Sequence, residues 1–322
     1  MQPKVALISG MNGFIGKNLA GILHERGWKV AGIPRQVLAN PDALDKLVFD
    51  ISPDCIFHLA SYGNHHDQTK VSEIVTTNYL KTYFLLEAAV KSGIDKFINF
   101  SSSSVYGEKT EVMSEDDELE THSFYGATKV GAEYLCRAYA MGTQMKVANV
   151  RPFSVYGEGE AMHRFIPTMI DAIVNKKELD VYPDPVHDWI YIEDFVDGVM
   201  AVVDNIEKVN GQSINIGTGK QYRNKYLYES LVKISGNTPL ETHFKKTQRK
   251  YDTNKTWQAD NSKLRKLEWR QKYTIGQGLI KTYQYYKDML SAPSIVIPSL
   301  DSAIEDSIRF AGAKWEDIPR VQ

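Results

Sequence analysis

Short apolar runs alternate with amphipathic stretches from the start of the chain. "KVALIS", residues 4–9, is a run of β-formers that stops at Gly10. "FIGKNLAGILHERG" follows with Ile15, Leu19, Ile22 and Leu23 at helical spacing, and Gly27 ends it. The same rhythm recurs downstream. "KVAGI", "DCIFHLAS", "KFINFS" and "MKVANVRP" read as strands, the last closed by Pro152. "TTNYLKTYFLLEAAVKSG" and "YGATKVGAEYLCRAYA" read as long amphipathic helices. The strands are near-continuous apolar runs, as strands buried on both faces are. Separated by helices, they predict an α/β fold, a doubly wound parallel sheet covered on both sides.

Past Pro152 the rhythm loosens. "FIPTMIDAIVNKK", "YLYESLVKISG" and "IGQGLIKTYQYYKDML" read as helices and "SINIGTG" as a strand. The pattern divides the chain into a dinucleotide-binding domain (1–153 and 188–218) and a smaller C-terminal substrate lobe (154–187 and 219–290). Residues 291–322 form an extension with one amphipathic helix expected around "DSAIEDSIRFAG" and no recognisable chemistry.

Composition narrows the function classes. The 322 residues carry a formal net charge of −2 with both signs mixed, so nothing draws the chain to nucleic acid or to a membrane surface. Cys55 and Cys136, each inside an apolar segment, make neither a disulfide framework nor a metal site and are expected to be buried and free. No apolar run approaches bilayer length, and no leader pattern precedes the first strand, so a cytoplasmic protein is expected.

Two stretches carry chemistry. "ISGMNGFIG" sets Gly10, Gly13 and Gly16 in the turn between the first strand and the first helix. A dinucleotide pyrophosphate needs close backbone approach and helix N-terminal N–H groups, and this spacing provides both. At the end of the second strand, "AGIPRQ" has Pro34 and Arg35 where an NAD site carries a carboxylate for the ribose hydroxyl. Arg35 suits a 2′-phosphate, so NADP(H) is favoured, with NAD possible. In "FYGATKVGAE", Tyr125 and Lys129 share a helix face at i and i+4. A tyrosine is a poor acid at neutral pH, and a nearby ammonium is expected to lower its pKa.

Together with "DCIFHLAS", "SSSSVYG", "RPFSVYG", "HDWIYIEDFVDG", "INIGTG" and "ADNSKLRKLEW", these motifs resemble the extended short-chain dehydrogenase/reductases of the NAD(P)-dependent epimerase/dehydratase type, which act on nucleotide sugars. The likeness runs over roughly residues 4–290 and implies a Rossmann sheet. It implies cofactor contacts from Gly10, Asn12, Gly13, Phe14, Ile15, Gly16, Arg35, Leu59, Ala60 and Asn78, with Tyr125 and Lys129. Counting back three residues from Val105 makes Ser102 the catalytic serine beside Tyr125, and leaves Ser101 to the strand end. Ser103 and Ser104 fall where the family's dehydratases carry acidic residues or its 3,5-epimerases a cysteine. A serine cannot move protons at carbon without an activator, so only hydride and hydroxyl-proton transfer is expected.

The substrate lobe departs from the family pattern. Ser154 stands where asparagine is common, and His187 where an arginine usually meets the diphosphate. A histidine lacks the guanidinium fork, so Arg164 or Arg249 is expected to take that contact. His58 reads as a packed core histidine, while His65 and His66 lie in the loop that follows and could act as acid/base groups. The expected activity is NADPH-dependent reduction of a 4-keto, 6-deoxy nucleotide sugar. The alternatives are a 4-epimerase with tightly held NAD and a non-catalytic NADP-binding protein. The expected partners are the nucleotide sugar and, by resemblance, a second copy of the chain in a homodimer.

Overall fold

A computed structural model describes residues 3–65, 67–236, 242–244 and 256–291. The chain opens with β1 (Val5–Ser9), α1 (Phe14–Glu25) and β2 (Lys29–Ile33). Helices α2 (Arg35–Leu38) and α3 (Pro41–Ile51) lead to β3 (Cys55–His58). Then come α4 (Val71–Val75), a π-helical turn (Thr76–Leu80), α5 (Lys81–Lys91) and β4 (Lys96–Phe100). A 3₁₀ turn (Ser103–Tyr106), α6 (Phe124–Gly142) and β5 (Lys146–Pro152) follow. Beyond Pro152 lie β6 (Ser154–Tyr156), α7 (Phe165–Asn175), β7 (Leu179–Val181), β8 (Val186–His187) and β9 (Trp189–Tyr191). The remaining elements are α8 (Ile192–Asp204), β10 (Ser213–Ile216), β11 (Tyr222–Arg223), α9 (Asn224–Ser235), β12 (Thr242–Phe244), α10 (Ser262–Lys266) and α11 (Ile275–Ser291).

Six strands form one parallel sheet in the order β10-β5-β4-β3-β1-β2. The apolar runs are continuous because both faces are covered. Ala6 and Ile8 of β1 pack on one side with α1 and α8, while Leu7 packs on the other with α3, α5 and α6. The order reverses between β1 and β3, which opens a crevice at the strand carboxyl ends where such sheets bind ligands. The common dinucleotide-binding order adds a strand outside the second one; here α2 and α3 run directly to β3, so β2 is the sheet edge.

One helix differs from expectation. The stretch around Asn78, read as a continuous helix, widens into the π-helical turn before α5. The extra residue per turn lets Asn78 be buried rather than exposed on the helix surface.

Beyond β5 the chain builds three two-stranded sheets, β6-β9, β8-β11 and β7-β12, with α7, α9 and α11 packed together. Asp188, between β8 and β9, joins this region to the main sheet. Its buried carboxylate accepts from Thr218 N (2.8 Å), Thr218 Oγ1 (2.7 Å), Gly219 N (2.9 Å) and Ala259 N (3.1 Å). Arg249, His66 and the helix expected around "DSAIEDSIRFAG" lie outside the described residues. Among the described residues no helix is long and apolar enough to cross a membrane, and both cysteines are buried and free.

Candidate active site

The glycine turn sits at the crevice. Gly10 has φ +71°, and a Cβ there would lie 2.8 Å from the Ala60 amide nitrogen. A Cβ at Gly16 would lie 2.4 Å from the Gly10 carbonyl oxygen. Both positions therefore need glycine for the turn to close on the strand ends. Gly13 is the N-cap of α1 and offers no side-chain cap, so the first N–H groups of the helix, from Phe14 to Gly16, are left for a ligand. Asn12 and Gly13 are exposed at the mouth. Leu59 and Ala60 form the opposite wall, their amides donating to Ser9 O (3.1 Å) and Ser9 Oγ (3.2 Å). This cradle fits a dinucleotide pyrophosphate.

His58 supports that wall from below. Its Nδ1 lies 2.6 Å from Ser9 Oγ and its Nε2 2.9 Å from Thr82 Oγ1. Burial, and then the charge of Lys129, push its pKa down to about 3, so it is a neutral core residue. Asn78 commits its amide to the loop after β3 and to α6. It accepts from Tyr62 N (2.9 Å) and donates to Tyr62 O (2.8 Å) and Thr128 Oγ1 (3.0 Å).

The candidate reacting groups expected from the sequence meet where β4 ends and α6 begins. Ser101 continues the β4–β5 ladder through its N–H to Val150 O (2.8 Å), and its buried hydroxyl has no partner among the described residues. Ser102 caps the 3₁₀ turn, its Oγ accepting from Ser104 N (3.1 Å). Ser103 is buried and Ser104 half-buried in that turn. The N-terminus of α6 is capped by Ser123 and packs directly on the turn, because position 126 is glycine. A Cβ on Gly126 would fall 1.9 Å from Thr121 Oγ1 and 2.8 Å from Ser104 O. That close approach brings the Tyr125 phenol within hydrogen-bonding reach of Ser102.

The electrostatics differ from the sequence expectation. Burial raises the Tyr125 pKa; the Ser102 hydrogen bond and then the Arg164 charge pull it back. Lys129 is not the cation that offsets burial there. Its ammonium sits 5.9 Å from the Tyr125 ring centre and donates to Phe100 O (2.7 Å) at the end of β4. Burial pushes its own pKa down to about 8. Sharing a helix face at i and i+4 puts the two side chains side by side, but the strand end claims the ammonium.

In the second lobe, Ser154 Oγ lies 3.3 Å from His187 Nδ1, and the His187 ring packs 5.4 Å from Trp189 and 6.2 Å from Trp257. Arg164, the N-cap of α7, lies in the electrostatic reach of Tyr125 and the half-buried Glu160. The His65 ring stacks edge-on against His163 at 4.1 Å, which joins the loop after β3 to the loop before α7. Arg35 is exposed at the start of α2, directly after the edge strand. The parts missed in the sequence are Arg164 as the cation beside Tyr125, Gly126 as the spacer, and the Phe100 carbonyl as the anchor of Lys129. None of these roles has a local sequence signal.

A glycine turn whose backbone fits a pyrophosphate, together with Ser102, Tyr125 and Lys129 at the neighbouring strand end, suits an NAD(P)-dependent enzyme. The family model described as the NAD dependent epimerase/dehydratase family matches residues 6–217, and the chain belongs to that family. The chain is 30% identical over 275 residues to the low-salt glycan biosynthesis protein Agl12 of Haloferax volcanii, covering 84% of this chain and 85% of that one. It is also 30% identical to the trifunctional UDP-glucose 4,6-dehydratase/UDP-4-keto-6-deoxy-D-glucose 3,5-epimerase/UDP-4-keto-L-rhamnose-reductase RHM1 of Arabidopsis thaliana, with 84% of this chain matched but only 41% of that protein's length. Among solved structures, a UDP-glucuronic acid 4-epimerase of Bacillus cereus in complex with UDP-glucuronic acid and NAD is 29% identical. It superposes with a TM-score of 0.79 over 88% of this chain and 99% of that one.

Proposed function

We propose that the chain is an NADPH-dependent reductase of a 4-keto, 6-deoxy nucleotide sugar. The observation that carries this reading is the convergence of Tyr125 and Ser102 on one spot beside the glycine turn, with serines at 103 and 104 and no carbon acid or base among them. A bound nicotinamide supplies the hydride. Tyr125 delivers a proton to the sugar oxygen as negative charge develops there, and Ser102 donates a hydrogen bond to the same oxygen. Lys129, braced on Phe100 O, would hold the cofactor ribose with its ammonium. Arg164 and Tyr125 share one electrostatic neighbourhood, so Arg164 favours the phenolate that proton delivery leaves behind. Ser154 and His187 hold the nucleotide portion in the second lobe, with Arg164 and Arg249 as its phosphate contacts. The reductase named within the Arabidopsis relative supports the 4-keto substrate class.

The test is a panel of 4-keto nucleotide sugars assayed for NADPH consumption with the full chain. Stoichiometric oxidation of NADPH with a reduced sugar as product supports the reading. The competing reading, a 4-epimerase, is favoured by the named activity of the Bacillus structure and its NAD. Cofactor retained through purification, with 4-epimerised product and no net NADPH consumption, would decide for it.

A second copy of the chain is the partner we assign to the face of α4, α5 and α6. Val71, Val75, Tyr79 and Tyr83 expose apolar surface there at four-residue spacing, next to Tyr134 of α6. Light scattering on the intact chain should give twice the chain mass, and Tyr83→Glu should reduce it to one.

A further inference from the structure

The first residue of α5 is a lysine whose stem is packed away while its ammonium keeps some contact with water. Lys81 as a residue is 6% exposed, and no hydrogen bond from its ammonium is formed among the described residues. Its nearest carboxylate, Glu73, is partly exposed and pairs with Lys70 at 3.3 Å. Its other charged neighbour is the Arg35 guanidinium, so Lys81 sits beside a like charge. Burial, and then Arg35, lower its pKa. Two neighbouring cations repel, and an anion that joins them relieves that repulsion.

Its position indicates which anion. Ile33, the last residue of β2, pairs in register with Ser9, the residue before the glycine turn. Arg35 follows two residues later at the start of α2, and α2 packs against α5. Three residues before Lys81, Asn78 is fastened to the loop after β3, which walls the same cleft. Lys81 and Arg35 thus flank the edge of the cradle at which a dinucleotide's adenosine ribose would lie, given the pyrophosphate at Gly13.

We propose that Lys81 is a second specificity residue for the cofactor, which together with Arg35 clamps the 2′-phosphate of NADP(H). Arg35 gives the planar fork from the exposed side and Lys81 a point charge from the buried side. The phosphomonoester is the anion that relieves the Lys81–Arg35 repulsion. This rests on the NADP preference proposed above, and it adds a residue from a different element, 46 positions away along the chain by the numbering.

The test is calorimetric titration of the full chain and of Lys81→Met, which keeps the apolar stem and removes the charge. The ligands are NADP⁺, NAD⁺, adenosine 2′,5′-bisphosphate and AMP. Lys81→Met should weaken NADP⁺ and the bisphosphate about ten- to hundredfold and leave NAD⁺ and AMP unchanged. Unliganded, it should melt no lower than the wild type, because the repulsion from Arg35 has been removed. A preference for NADP⁺ that survives in Lys81→Met, equal weakening of NAD⁺ and NADP⁺, or a lowered melting temperature would each overturn the proposal while leaving the Arg35 reading intact. A wild-type chain that binds NAD⁺ as tightly as NADP⁺ would overturn the cofactor reading itself.

Discussion

Helix α6 carries two buried polar clusters one turn apart, and they are finished very differently. In its middle, Glu133 is fully engaged. Arg151 donates to it from Nε (2.9 Å) and Nη2 (2.6 Å), and Ser213 Oγ adds a third bond (2.8 Å). Arg151 Nη1 donates on to Tyr106 OH (2.7 Å), which donates to Asn215 Oδ1 (2.7 Å). Asn215 Nδ2 donates in turn to Met113 O (2.9 Å). At the near end, the Ser101 hydroxyl is buried without a described partner, and Lys129 donates to a single carbonyl. Tyr125 is buried there with only the Ser102 hydrogen bond and the Arg164 charge to offset the loss of water. A closed network holds β5, β10 and α6 together; the open one leaves donors uncommitted, as the proposed reaction needs. On that proposal the contrast separates structural polar residues from functional ones within a single helix.

The sharpest way to break that comparison is Tyr125→Phe. It should lower turnover by about 10²–10⁴-fold with the melting temperature held or raised, since general acids contribute in that range. Unchanged steady-state turnover with the best nucleotide sugar would place the chemistry elsewhere. Glu133→Ala should do the opposite. Leaving Arg151 buried and unpaired should cost about 3–5 kcal/mol in urea denaturation, with activity falling only as the folded fraction falls. A stability loss well below that would mean the network is not closed as described.

Gly126→Ala tests the spacer between α6 and the serine turn. The new Cβ meets the backbone oxygen of Ser104 as well as the Thr121 hydroxyl. The expected cost is about 1–3 kcal/mol, with a fall in turnover that Thr121→Ala does not rescue. Denaturation and kinetics on the single and double variants decide it. The smallest effect is a pH dependence. Lys129 releases its proton at about 8 in the fold, against 10.5 for the ordinary group. Between those values the unfolded chain binds the proton that the folded chain has lost, so this group's contribution to stability rises with pH across that window. Measured by urea denaturation on either side of the window, the wild type should gain on Lys129→Met by at most about 1.4 kcal/mol per pH unit. A difference that stays flat would mean Lys129 is not held at the cost of its charge.

Much of this protein is written locally in its sequence. The alternation of apolar runs with amphipathic helices set the parallel sheet, because strands covered on both faces have no polar side to show. The glycine turn and the Tyr125/Lys129 spacing were legible because each operates within a few residues of one element. The partners of those residues were not. Arg164 reaches Tyr125 electrostatically from 39 positions away, and Lys81 meets Arg35 from 46 positions away by the numbering. Lys129 turns to Phe100 rather than to the tyrosine beside it on the helix. Periodicity reports which face of an element is apolar. Which buried charge finds a partner depends on how separate elements pack and how much water they exclude, and only the tertiary structure decides that.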